Sequence, residues 1–234
     1  MKQITIALAL LLSFGAFAQN NADLKTHYDA YLKTMKNRGD VQGIINAHTH
    51  LDILEPSQAR KDTLAYLYLS NRKFMQALNT IGIEKNANDS DMNVEVKAIA
   101  LQNLNKLELA LEHFEILFER NPNALLAYEI ADMKIQIDEL DGARTKIEYG
   151  LANTKDDEKR AFYETQQPYE ASLKAAFLYL KGLLLFKEDQ STNLGAALKL
   201  MNDALEIDPK FNLARISREA LEAQKANLNA AEKN

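Results

Sequence analysis

The sequence contains no cysteine and no tryptophan, and its 234 residues include only four prolines and eight glycines. Without cysteine there is no disulfide, no thiolate nucleophile and no cysteine metal site, so stability must come from packing. A lipid anchor would need a cysteine just after a leader, so a lipoprotein is not expected. So few glycines and prolines argue against a turn-rich β fold. Basic blocks are missing too: 28 Lys and Arg stand against 33 Asp and Glu, for a net charge of -5. A mildly acidic chain with no basic stripe is a poor partner for nucleic acid or anionic lipid.

One apolar run is present, from Ile6 to Leu12, and Lys2 is the only charge before Asp23. Ala16-Phe17-Ala18 follows as a small-x-small cleavage signature. This layout predicts a secretory signal peptide over 1–18, with Gln19 as the mature N-terminus. Ser13 and Gly15 interrupt the run too early for a membrane span, which needs about 18 apolar residues. No later stretch is apolar enough to cross a bilayer. The expectation is an exported protein, periplasmic or extracellular.

Leu, Ala, Glu, Lys and Asn dominate the rest, and the apolar spacing is helical almost throughout. Small residues recur at a fixed interval. Ala65, Ala98 and Ala131 stand 33 apart, as do Ala77, Ala110 and Ala143. Before each second alanine sits Phe74, Leu107 or Leu140, and after it Ile81, Phe114 or Ile147. One step back the period meets Leu32 and Ile44. Near the C-terminus Gly182, Leu194, Ala197, Met201, Ala204 and Pro209 carry the same phase. Two antiparallel helices approach closely only where small side chains face each other. One such pair cannot bury its face alone, so the pairs must stack.

These residues resemble the tetratricopeptide repeat, with a small residue in each helix, an aromatic or aliphatic in the second, and a closing proline such as Pro56, Pro122 or Pro209. The resemblance implies an all-α fold, a right-handed α-solenoid of helix pairs. The units run at about 25–57, 58–90, 91–123, 124–156 and 175–210. Lys134 stands where an apolar residue is usual, and Asp89 and Lys155 replace the proline. An insertion over 152–170 breaks the period, and the next helix is expected to start at Pro168. Phe162, Tyr163 and Tyr169 within the insertion are expected to tuck onto neighbouring helices. A capping helix over 212–231 closes the array, with Leu213, Ile216 and Leu221 on its apolar face.

Catalytic chemistry is hard to find. The stretch NAHTHLD, residues 46–52, resembles the HxH strand of amidohydrolases. On a helix, however, His48 and His50 lie about 200° apart around the axis and cannot share an ion. There is no GxSxG, no HExxH and no phosphate-cradling glycine loop. No catalytic residue, metal site or cofactor is expected.

Binding remains, and the resemblance places it on the concave face formed by the first helix of each pair. By register the face comprises Asp62, Tyr66, Glu95, Gln102, Tyr128, Asp132, Tyr179 and Phe186, acidic toward one end and aromatic toward the other. The expectation is a non-enzymatic scaffold binding a peptide or protein partner in the bacterial envelope. The alternatives are a structural component that self-associates and, more remotely, a metal-dependent hydrolase using His48 and His50.

Overall fold

The computed structural model describes residues 21–231; the expected leader and its cut after Ala18 lie outside the described residues. The chain divides after Asn105 into two compact units. In the first, residues 21–38 form α1, followed by α2 (Val41–Leu54), α3 (Gln58–Ser70), α4 (Phe74–Ile81) and α5 (Asp91–Asn103). The second holds α6 (Leu107–Arg120), α7 (Ala124–Gln136), α8 (Leu140–Asn153), β1 (Lys159–Phe162), β2 (Tyr169–Ser172), α9 (Leu173–Glu188), α10 (Leu194–Ile207) and α11 (Asn212–Ala231).

The period is written in the helix ends as well as in the alanines. Ser57, Ser90 and Asn123, again 33 apart, are the N-caps of α3, α5 and α7. Their side chains accept hydrogen bonds from the N–H of Arg60 at 3.3 Å, Asn93 at 3.1 Å and Leu126 at 3.0 Å. Each satisfies one of the backbone donors that a helix start leaves unpaired.

The C-terminal ends of the first helices repeat too. Gly39, Arg72, Asn105 and Asp138 all have left-handed backbones, with φ between 56° and 65°. Around them the chain closes with paired bonds, such as Arg72 N–H to Leu69 C=O at 2.8 Å and Lys73 N–H to Tyr68 C=O at 2.9 Å. This is the Schellman ending, which favours glycine because a Cβ crowds the left-handed conformation. Glycine occupies only the first of the four places. We expect Arg72→Gly to hold or raise the urea midpoint, and the β-branched Arg72→Val to lower stability by about 1–2 kcal/mol.

Packing bears out the alanine register. Ala65, Ala77 and Ala98 in the first unit and Ala110, Ala131, Ala143 and Ala197 in the second are wholly buried. Where α3, α4 and α5 meet, Ala65 and Ala77 share a core with Val96. In the first pair the close approach shifts away from Leu32 and Ile44, which are half-buried, to Gly43. A Cβ on Gly43 would lie 2.5 Å from Met35 Sδ. Lys134 keeps the close α7–α8 contact by laying its stem over Gly142, where a Cβ would meet Lys134 Cδ at 2.9 Å. Its ammonium reaches Glu139 at 2.8 Å and Glu115 at 3.5 Å.

The insertion departs from expectation. It forms an antiparallel hairpin in which Lys159 pairs with Ser172 and Phe162 with Tyr169. The helix expected from Pro168 therefore begins at Leu173, because residues 169–172 are drawn into the strand. Ser172 then caps α9, and its N–H donates to Asp208 Oδ2 at 2.9 Å. Phe162 and Tyr169 pack as expected, but Tyr163 is 74% exposed. The capping helix buries Ala214 and Leu221 behind Phe211, whereas Ile216 faces outward at 48% exposure. Its apolar face is turned slightly from the one expected.

Candidate binding site on the first helices

In the first unit the candidate face belongs to α3 and α5, which pack together. Tyr66 is 47% exposed and Glu95 is also exposed, while Gln102 and Ile99 are half-buried. Asp62 requires a correction. It is buried, and its carboxylate is taken up inside the unit, accepting from Ser90 Oγ at 2.7 Å and from Asn93 Nδ2 and Gln58 Nε2 at 2.8 Å. Burial works to raise the Asp62 carboxyl, but these hydrogen bonds and the charge of Lys97 hold it below its ordinary value. Asp62 fastens α3 to the start of α5 and is not open to a ligand. Beside it, Lys97 is 2% exposed and pairs with Asp89 Oδ2 at 2.5 Å, while also donating to the Glu84 carbonyl at 2.8 Å. Asp89, standing in the proline's place, anchors the 82–90 loop through this pair.

His48 and His50 in α2 do not converge. His50 stacks on the ring of Tyr28 at 4.3 Å. His48 is half-buried with Nδ1 unbonded, and burial followed by the charges of Lys36 and Arg60 lowers its pKa. Among the described residues no three His, Cys, Asp or Glu side chains are grouped to hold a metal ion.

In the second unit the face belongs to α7 and α9, and the hairpin lies on it. Tyr128 is 2% exposed and Tyr179 is 9% exposed, so neither is the open groove residue expected. The reason is the local cover. The Tyr128 ring meets Phe177 at 5.7 Å and Phe162 at 6.2 Å, and Phe211 sits 4.9 Å from Phe162 and 5.3 Å from Tyr179. Phe177 is seated so deeply that a Cβ on Gly150 would fall 2.0 Å from its ring. Phe186 is half-buried against the same core.

Arg160 of β1 completes the cover. Its guanidinium lies 4.4 Å from the Tyr128 ring centre and 4.6 Å from that of Phe162. It also donates to Glu129 Oε1 from Nε at 2.9 Å, with Nη2 at 2.8 Å. Asp132, one turn along α7, is pushed up to about 6 by burial and by the charge of Glu129, against the pull of Arg160. Sequence reading passed over Arg160 and Glu129; the only signal was a basic residue two places before an aromatic in KRAF.

The raised Asp132 carboxyl has a definite sign. Its protonated form is favoured by folding, so that contribution is complete below the unfolded value of 3.8 and is lost as pH rises through about 6. Asp132→Asn should therefore melt above wild type at pH 7.5, and the difference should shrink strongly by pH 4. Melting curves at the two pH values check this.

No described helix is long and apolar enough to cross a membrane. No family model and no curated protein matches the sequence. Solved structures do match in fold. A tetratricopeptide repeat protein from Parabacteroides merdae has a TM-score of 0.63 at 15% identity, over 88% of this chain and 76% of its own. YrrB, described as a TPR protein with an unusual peptide-binding site, has a TM-score of 0.64 at 14% identity, over 88% and 97%. The MamA protein has a TM-score of 0.59 at 15% identity, over 81% and 94%.

Proposed function

Taking the tetratricopeptide-repeat α-solenoid as the fold, we propose that this chain is an exported, non-enzymatic scaffold that binds a peptide or protein partner on its first helices. The observation that carries the reading is the open face of the first unit. There Tyr66 stands half out in solvent and Glu95 is exposed, on two helices that the Asp62 network locks together. An aromatic held on a rigid element is a common anchor for a partner, because little side-chain freedom is lost when it is covered. YrrB supports the reading through the peptide site its description gives it. Export rests on the leader over 1–18, and N-terminal sequencing of the mature protein should begin at Gln19.

A photo-crosslinking residue at position 66, compared with one at Met75 on a second helix, tests the binding face in the native envelope. Crosslinks from 66 and not from 75 are expected. Tyr66→Ala should weaken partner retention roughly thirtyfold, the effect of losing about 2 kcal/mol at a hot spot, with little change in melting. Equal crosslinking from both positions would overturn the reading.

A further inference from the structure

The hairpin lies where the first-helix register of the second unit would place a ligand. β1 runs extended over Tyr128, with Arg160 and Phe162 on one side of the strand, as the two-residue alternation of a strand requires. The guanidinium is held between two aromatic faces and ion-paired to Glu129, with the Asp132 carboxyl adding its attraction. Phe162 is 3% exposed among Tyr128, Tyr169 and Phe211. A delocalised cation set against two ring faces and paired to a carboxylate through a forked donor is a geometry that arginine fills and lysine does not.

We propose that the α7–α9 face is a receptor for an extended segment carrying an arginine and, two residues later, an aromatic. β1 is its resident occupant. A partner segment of that chemistry enters by displacing β1, so the tethered strand sets a threshold for binding at this face. The inference rests on the reading of first-helix faces as the binding surface. It supplies what that reading lacks, the chemistry of the segment and the reason the second unit is covered. A tethered occupant competes at an effective concentration of order millimolar, so the intact chain should take a free segment weakly.

The test uses the full chain with Arg160→Ala and Phe162→Ala together, titrated with a labelled peptide of residues 157–164. The peptide should bind this variant at least tenfold more tightly than wild type. Adding Glu129→Gln should remove most of that gain, and a peptide with alanine in place of the arginine or the phenylalanine should bind at least tenfold more weakly. A variant with wild-type helical circular dichroism that takes the peptide no better than wild type overturns the proposal. If the double variant does not fold, Arg160→Ala alone is melted in ethylguanidinium. A saturable rise in melting temperature, absent in wild type and in Arg160→Ala/Glu129→Gln, supports the proposal, and no rise overturns it. Crosslinking at position 66 reports on the first unit, so the two readings fail separately.

Discussion

Lys97→Ala should lower stability by about 3–5 kcal/mol, the effect of leaving one partner of a buried ion pair uncompensated. The ammonium is enclosed, its partner Asp89 is only 9% exposed at the side chain, and the Glu84 carbonyl accepts a second hydrogen bond from it. Truncation removes both interactions and leaves the Asp89 carboxylate, itself largely enclosed, without this counter-charge. Lys97→Ala/Asp89→Ala should recover a substantial part of the loss, because the stranded charge is then gone. Urea unfolding of the single and double variants decides the matter; equal stabilities for the two would show that the pair is solvated. The 82–90 loop should also become the first site of proteolytic nicking in Lys97→Ala, since this side chain ties it to α5.

Tyr128→Ala carries the second large effect, a loss of about 3–5 kcal/mol as for other buried aromatics. The ring is enclosed by Phe162, Phe177 and the Arg160 guanidinium, so its removal opens a cavity and loosens the hairpin together. Thermal melting is the first measurement. A variant that melts within a few degrees of wild type would return Tyr128 to the surface and undo the account of the covered face. Tyr66→Ala is the internal comparison, since a tyrosine 47% exposed should lose little on truncation.

The repeat was legible because the closest helix approaches demand small side chains, and Ala65, Ala77, Ala110 and Ala143 stand at those approaches wherever else the sequence varies. The left-handed turn residues were not legible. Glycine marks only Gly39, while Arg72, Asn105 and Asp138 take the same backbone because the hydrogen bonds of the helix end impose it. The hairpin was missed for a related reason. KRAF and YEAS are too short to show a strand period, and their contacts reach Glu129 and Phe211, far away in sequence. Of the expected face, Tyr66 and Glu95 are open as read. Asp62, Tyr128 and Tyr179 were placed on it by register alone, and register does not reveal what covers a helix. In Asp62 the cover is a network from the next helix, in Tyr128 it is the insertion, and in Tyr179 it is Phe211, just ahead of α11.

The hairpin also bears on the order in which the second unit assembles. Contacts within and between successive helices close short loops, and such contacts form early. Phe162 instead meets Tyr128 and Phe211, the residue just before α11, so its packing is complete only when residues from both ends of the unit are in place. On a chain emerging from its N-terminus, the α7 face stands open for the whole interval between its own formation and that last closure. Phe162→Ala should therefore speed unfolding while leaving the refolding rate nearly unchanged, the behaviour of a contact absent from the transition state. Stopped-flow chevrons of the two proteins would show the difference in one arm only. The face proposed to take a partner would then be the last part of the unit to close and the first to open.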